Sequence, residues 1–167
     1  EIDKMVVKAC KEHLQEVSGN LRDERVNFIY TDGVKFAKEC KDLYDIVIID
    51  SSDPIGPAVE LFSEDFYRDI ANILKNDGIF VCQSESPIFY TDIMKDIYKK
   101  LCSIYKEVKL YTAVVPTYPG GLWSFTLGSK KSIDVKSERL MGDNLYVNPG
   151  IIKSCFHLPE FVKKALY

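Results

Sequence analysis

The apolar run Ile-Val-Ile-Ile at residues 46–49 contains no polar position. Such a run is typical of a strand that is covered on both faces, as in a parallel sheet. It ends at Asp50, and the segment that follows, 51–57, is rich in the turn-forming residues Ser, Asp, Pro and Gly. The pattern therefore predicts a central strand at 44–50 that leads directly into a loop.

The rest of the chain alternates between helical and strand-like spacing of its apolar residues. Helical spacing predicts helices at 3–17, 34–40, 63–74 and 91–105. Asp3 and Ser63 are the expected N-caps of the first and third of these. Apolar runs predict further strands at 25–30, 79–83, 107–115 and 122–128. A Gly- and Pro-rich link at 116–121 indicates that the last two strands pair antiparallel.

This order of elements predicts an α/β fold with a doubly wound sheet that ends in an antiparallel hairpin. Asn-Asp-Gly at 76–78 is expected to break the chain before the strand at 79–83. Residues 131–150 are polar and predicted to be loop-like, and a short terminal helix is predicted at 158–166. The 167 residues suit one domain with its own core.

Composition and charge exclude several classes of function. The net charge is −3, so neither a nucleic acid nor an anionic membrane surface is expected as a partner. No apolar run is long enough to cross a bilayer. The five cysteines are scattered without a Cys-x-x-Cys pair, and only two His are present, so no zinc site is expected. Such cysteines suit a reducing cytosol.

Asp32 and Asp50 stand at the ends of predicted strands. Glu1 would stand at the end of another if a further strand precedes the chain. Ligands of open α/β sheets bind beyond the carboxyl ends of the strands, so these carboxylates are expected to face one crevice. Asp53 adds a second carboxylate to the loop after the central strand, and no Lys or Arg lies nearby in the sequence. Two anions without a cation favour a positively charged ligand over a phosphate.

Each candidate also has a purely structural interpretation. The Asp-Ser-Ser-Asp segment at 50–53 could be an N-cap or an Asx-turn. Asp32 and Gly33 could contact an adenine amino group or form an ordinary turn. Glu85 could be a ligand at a strand end or a helix cap. The aromatic loop at 116–123 could wall a cation site or be a packed hairpin turn.

Five segments together resemble the polyamine aminopropyltransferase family: Glu-Ile-Asp at 1–3, Asp-Gly at 32–33, Asp-Ser-Ser-Asp-Pro-Ile-Gly-Pro at 50–57, Pro-Thr-Tyr-Pro-Gly-Gly at 116–121 and Leu-Pro-Glu-Phe at 158–161. The resemblance covers essentially the whole chain. It implies a Rossmann-like sheet of the class I methyltransferase type. It also implies transfer of an aminopropyl group from decarboxylated S-adenosylmethionine to putrescine, which gives spermidine and methylthioadenosine.

The resemblance further implies that part of the family's structure lies outside this chain, which begins at Glu1 without Met. The family's N-terminal β domain and the first strand with its Gly-rich turn have no counterpart in the sequence. We expect a catalytic domain at 1–130 that lacks this strand, and a C-terminal extension at 131–167 that packs on it. We expect the full-length enzyme to be active and the fragment alone to be inactive.

By resemblance, the candidate residues divide between donor and acceptor. The expected donor-binding residues are Glu1 at the ribose, Asp32 and Gly33 at the adenine, and Pro57. Asp50 is the expected catalytic base. The expected polyamine-binding residues are Asp50, Ser51, Ser52, Asp53, Glu85, Tyr118 and Trp123.

The resemblance implies no metal and no cofactor beyond the donor, which is a co-substrate. It implies a cytoplasmic homodimer or homotetramer. Three alternatives stay open: the same fold with another amine acceptor (spermine or thermospermine synthesis, or N-methylation of putrescine), a non-catalytic paralogue that acts as a binding module, and a methyltransferase for a neutral substrate.

Overall fold

The computed structural model describes residues 1–135 and 142–167. These residues form two compact units, Glu1–Cys40 and Lys41–Tyr167. Parts of the predicted loop-like segment at 131–150 and of the predicted extension at 131–167 lie outside the described residues. The division of the chain at residue 130 stays a prediction.

The first unit contains two helices, α1 (Lys4–His13) and α2 (Gly33–Glu39). Asp3 caps α1 as predicted, because its carboxylate accepts a hydrogen bond from the Met5 N–H. The helix ends earlier than the predicted 3–17. The chain turns there, and the N–H and the hydroxyl of Ser18 both donate to the Leu14 carbonyl.

The predicted strand at 25–30 is wrong, since residues 26–30 form no regular strand. A strand is defined by a hydrogen-bonded partner, and the bonds that this segment makes to Glu1 are too few to build a ladder. The Glu1 amino group donates to the Ile29 carbonyl at 3.4 Å, and the Thr31 N–H donates to the Glu1 carbonyl at 3.2 Å. These two bonds follow the pattern of a parallel pair, with Glu1 opposite Tyr30.

The second unit is built on a mixed sheet. Within the described residues its strands are β1 (Tyr44–Ile49), β2 (Leu74–Gln83), β3 (Glu107–Val114) and β4 (Leu122–Ser129), in the order β1-β2-β4-β3. The β1–β2 pair is parallel, and both pairs made by β4 are antiparallel. The predicted strand at 44–50 and the predicted antiparallel hairpin are therefore confirmed. The central position of that strand and its cover on both faces are not: among the described strands β1 lies at an edge of the sheet, and Ile46 and Ile48 are 61% and 70% exposed.

Strand β2 begins at Leu74, so the break predicted at 76–78 is wrong as a strand boundary. The pairing with β1 is nevertheless irregular there: Tyr44 lies opposite Leu74, but Ile46 lies opposite Ile79. Gly78 allows this close passage, because a Cβ on it would lie 2.8 Å from Leu74 Cγ. The turn-forming residues thus produce a bulge within the strand.

Helices cover the sheet and supply the crossovers. A 3-10 helix (Gly56–Phe62) begins inside the predicted loop and leads into α3 (Glu64–Asn72), where the predicted N-cap Ser63 accepts from the Phe66 N–H at 3.1 Å. Helix α4 (Thr91–Ile104) matches its prediction. The core between these elements contains the buried side chains of Phe66, Tyr67, Ile70, Phe80, Met94, Ile97, Leu101 and Tyr105.

The C-terminal part of the second unit contains α5 (Pro149–Ser154), which was not predicted, and α6 (Glu160–Leu166), which was. The side chain of Asn148 caps α5 by accepting from the Ile151 N–H. Helix α6 packs its apolar face on the sheet and on α4, in a cluster formed by Met94, Leu110, Val162 and Leu166. Within residues 1–135 and 142–167, no helix is long and apolar enough to span a membrane.

Candidate active site

The end of β1 presents the predicted acidic segment to solvent. Asp50 and Asp53 are both exposed, and Asp50 comes directly after Ile49, which pairs with Cys82 of β2. In the described part of the chain, the side chains at 50–53 make no hydrogen bond or ion pair. The N-cap and Asx-turn interpretations of this segment are therefore not what the structure shows, and its carboxylates are available to a ligand.

The end of β2 carries a buried hydrogen-bond network around Gln83. Its Oε1 accepts from Trp123 Nε1 at 3.1 Å and from the Glu85 N–H at 3.0 Å. Its Nε2 donates to the Ser51 carbonyl at 3.2 Å and to Glu85 Oε1 at 3.4 Å. Because the indole and the backbone N–H can only donate, they fix which end of the amide is oxygen.

Glu85 is the most unusual carboxyl of this region. It is 1% exposed, its φ is 65°, and its Oε2 has no hydrogen-bond partner. Burial raises the pKa of this carboxyl above its ordinary 4.5, the hydrogen bond from Gln83 opposes the shift, and the nearby charge of Asp53 adds to it. The helix-cap interpretation is wrong, since Tyr90 occupies the N-cap of α4.

The left-handed backbone at Glu85 is held from strand β4. The Ser124 hydroxyl lies 2.7 Å from the carbonyls of both Ser84 and Glu85 and shares its one hydrogen between them, and the Ser124 N–H donates to the Glu85 carbonyl at 3.0 Å. A non-glycine residue in this conformation costs about 1–3 kcal/mol and persists only where the surroundings impose it. The buried Ser124 supplies that constraint.

The aromatic loop combines both interpretations offered by the sequence. Trp123 is buried and bonded to Gln83, as expected of a packed turn. Tyr118 is 46% exposed and its ring lies over the indole, with centroids 4.4 Å apart. Gly120 and Gly121, with φ of 75° and 67°, allow the tight turn that joins Tyr118 to Trp123. An aromatic wall therefore stands next to the Gln83 network.

The predicted donor residues lie in different surroundings. In the first unit, Asp32 caps α2 through bonds from the Val34 and Lys35 N–H groups, so the ordinary Asp–Gly turn is replaced by a helix start at Gly33. Glu1 Oε1 accepts from the Asp3 N–H at 2.8 Å, and the Glu1 backbone is bonded next to Asp32, at Thr31. In the second unit, Pro57 lies exposed in the first turn of the 3-10 helix.

The structure thus brings together Ser51, Glu85 and Trp123 around Gln83, with Asp53 close enough to affect the Glu85 carboxyl. Sequence reasoning missed Gln83. A long amide as the last residue of an otherwise apolar strand was the available signal. Across the described ranges, no group of three or more His, Cys, Asp or Glu side chains is arranged to hold a metal.

The fold and its acidic strand ends define an α/β protein of the class I methyltransferase type. The human methyltransferase-like protein 13 in complex with SAH has a similar fold, with a TM-score of 0.58 at 14% identity over 99% of this chain and 68% of that chain. The chain itself belongs to the spermine/spermidine synthase family, whose model, "Spermine/spermidine synthase domain", matches residues 1–137.

Relatives and solved structures agree with this assignment. A polyamine aminopropyltransferase of Caldicellulosiruptor bescii is 46% identical over 99% of this chain and 61% of its own length. A spermidine synthase in complex with the transition-state analogue AdoDATO has a TM-score of 0.93 at 32% identity, over 99% of this chain and 59% of that chain. The spermidine synthase of Thermotoga maritima has a TM-score of 0.89 at 30% identity, over 99% of this chain and 58% of that chain.

Two conclusions follow from the comparisons. The family resemblance and the methyltransferase-type fold stated from the sequence are confirmed. The chain spans 61% and 60% of the length of two of the curated relatives it matches, so the activity of the whole protein is a separate question.

Proposed function

We propose that the full-length protein transfers an aminopropyl group from decarboxylated S-adenosylmethionine to putrescine, and releases spermidine and methylthioadenosine. The observation that carries this proposal is the pair of exposed, uncommitted carboxylates Asp50 and Asp53, next to a buried carboxyl, Glu85, that has one free oxygen. Among the described residues none of these three carboxyl groups is paired with a cation, which suits a ligand that brings its own positive charges.

The chemistry explains why such a site needs a carboxylate base. The sulfonium of the donor is already a good leaving group. The nucleophile is lacking, because an alkylamine with a pKa of about 10.4 is almost wholly protonated at neutral pH. Asp50 accepts a proton from the attacking nitrogen. The nitrogen lone pair forms the new C–N bond, the C–S bond breaks, and its electrons remain on the sulfur of the neutral methylthioadenosine.

The other acceptor residues have roles in binding. Asp53 and Glu85 neutralise the ammonium group that does not react, which sets the register of the diamine. Tyr118 offers an exposed aromatic face to the cation, backed by Trp123. Ser51 and Ser52 complete the polyamine site.

The donor residues and the assembly belong to the same proposal. Glu1 holds the ribose through its carboxylate, Asp32 and Gly33 contact the adenine, and Pro57 is a further donor-binding residue. The reaction needs no metal and no further cofactor. The protein acts as a homodimer or homotetramer in the cytoplasm.

A product assay on the full-length protein tests the proposal. Decarboxylated and intact S-adenosylmethionine are each offered with putrescine and with spermidine, and products are identified by mass spectrometry. Spermidine formed from putrescine and the decarboxylated donor is the expected result. Preferential aminopropylation of spermidine would reassign the acceptor, and methylputrescine formed from the intact donor would reassign the reaction. No product and no methylthioadenosine binding would indicate a non-catalytic paralogue.

A further inference from the structure

Gln83 uses the full hydrogen-bonding capacity of its side-chain amide on the protein itself. The two N–H donors reach the Ser51 carbonyl and Glu85 Oε1, and the oxygen accepts from Trp123 and from the Glu85 backbone. An amide has two donors and two acceptor sites, so none remains for a ligand. The residue is 6% exposed, so water does not compete for these bonds.

The partners of Gln83 connect the two halves of the proposed acceptor site. The Ser51 carbonyl lies between the carboxylates of Asp50 and Asp53 along the chain, and Glu85 carries the buried carboxyl. A single side chain therefore bridges the loop of the exposed pair and the residue with the buried carboxyl. Trp123 fixes that side chain from β4 by donating to its oxygen.

We propose that Gln83 is a positioning residue that fixes the separation between the Asp50–Asp53 carboxylates and Glu85, and thereby selects the length of the diamine acceptor. This inference rests on the proposed function. A diamine has its two nitrogens at a distance set by its carbon chain. A fixed spacing between the base and the distal anion favours one chain length, whereas a loose spacing accepts several.

The structure separates this role from the stability of the turn itself. Ser124 holds the Glu85 backbone independently of Gln83, through bonds to the carbonyls of Ser84 and Glu85. Removing the Gln83 amide therefore frees the Ser51 side of the link and leaves the turn anchored on β4. The expected result is altered selectivity in a protein that still folds.

The test compares Gln83→Met with Gln15→Met in the full-length protein. Methionine keeps the length of the side chain and removes the four hydrogen bonds of the Gln83 amide. Gln15 is the control because it is exposed and, within the described residues, its side chain is bonded only to the Lys11 carbonyl. kcat and KM are measured with the decarboxylated donor and with α,ω-diamines of three, four and five carbons. Misplacement of a reacting group by about 1 Å can reduce rate roughly a hundredfold.

For Gln83→Met we expect kcat/KM for the four-carbon diamine to fall about ten- to a hundredfold. We expect the preference among the three diamines to shrink several-fold, with both quantities unchanged in Gln15→Met. Trp123→Phe, which keeps Gln83 but removes the indole donor, should give a smaller change in the same direction. Preference ratios within twofold of the parent in both Gln83→Met and Trp123→Phe would overturn the inference, and Trp123→Phe alone decides it if Gln83→Met does not fold.

An activity-independent measurement separates failure of this inference from failure of the proposed function. Hydrogen exchange at the Ile55 amide, whose N–H donates to the Asp53 carbonyl at 2.7 Å, should accelerate in Gln83→Met, because the loop that contains this bond loses its anchor at the Ser51 carbonyl. A parent protein that aminopropylates no diamine contradicts the proposed function. In that case, accelerated exchange would still support the positioning link, and unchanged exchange would overturn it.

Discussion

The two parallel strands β1 and β2 end side by side and yet present opposite surroundings. After β1, the side chains at 50–53 are exposed or half-buried and make no hydrogen bond within the described residues. At the end of β2, Gln83 and the nearby Glu85 are buried in a network in which a single oxygen, Glu85 Oε2, is left without a partner. The first strand end offers side chains without a hydrogen-bond partner in the described part of the chain, and the second offers side chains that are held in place.

This contrast indicates that the two strand ends have different roles in the proposed reaction. A general base must be able to gain and lose a proton, which a solvated carboxylate does easily. A group that sets the register of a ligand benefits from rigidity, which burial and saturated hydrogen bonding provide. Variants at the two strand ends should therefore fail in different ways.

The largest effect is expected at the β1 end. Asp50→Asn in the full-length protein should reduce kcat roughly a hundred- to ten-thousandfold, because the amide cannot take the proton of the attacking amine. Binding of methylthioadenosine, measured by calorimetry, should remain. Asp77→Asn, an exposed substitution in β2 near the opposite end of that strand, is the matched control and should behave like the parent. Near-normal turnover of Asp50→Asn would remove Asp50 from its proposed role.

A smaller and different effect is expected at the β2 end. Glu85→Gln should raise the KM for the diamine about ten- to a hundredfold with little change in kcat, because a hydrogen bond to a charged group contributes about 1.5–3 kcal/mol. Steady-state kinetics measure the split, and the exposed Glu16→Gln serves as the control. A loss confined to kcat would argue that Glu85 acts in the chemical step instead.

The constraint supplied by β4 should appear in stability. Ser124→Ala leaves the Ser84 carbonyl without its hydroxyl donor, whereas the Glu85 carbonyl keeps the bond from the N–H of residue 124, and an unsatisfied buried polar group costs about 1–3 kcal/mol. Urea unfolding measures this loss. Ser103→Ala on α4 removes an exposed serine hydroxyl and should cost much less. Equal losses in the two variants would contradict a special role for Ser124.

The smallest effect concerns pH. Because the folded-state pKa of Glu85 is raised above 4.5, the folded protein binds more protons than the unfolded chain between these two values. The contribution of Glu85 to stability is therefore fully present below pH 4.5 and is lost as the pH rises through the raised pKa. The unfolding free energies of the parent and of Glu85→Gln should diverge as the pH rises over this window, with the variant becoming the more stable of the two. A difference that does not change with pH would be evidence against a raised pKa of Glu85 in the folded protein.

The parts of the molecule that could be predicted are those encoded by neighbouring residues. The strand at 44–50 and its acidic loop follow from an apolar run that meets turn formers, which also located Asp50 and Asp53. The start of α5 was encoded in the same local way, by Asn148 and Pro149, but the polar surroundings concealed it.

The parts that could not be predicted depend on partners far away in the chain. Gln83 acquires its role from Ser51 and Trp123, which lie 32 and 40 residues away. The left-handed conformation of Glu85 is imposed by β4, and no local residue signals it. The apolar run at 25–30 has the composition of a strand, but a strand also requires a ladder with a second segment.

The order of strands in the sheet has a consequence for biosynthesis. Strand β4 lies between β2 and β3, although it is the last of the four to be translated among the described residues. Its residues Trp123 and Ser124 donate hydrogen bonds to Gln83 and Ser84, which are translated about 40 residues earlier. A nascent polypeptide halted before residue 122 would therefore carry Asp50 but lack the bonds from Trp123 and Ser124 that shape the surroundings of Glu85, so the proposed diamine site would be complete only after the β3–β4 hairpin has formed.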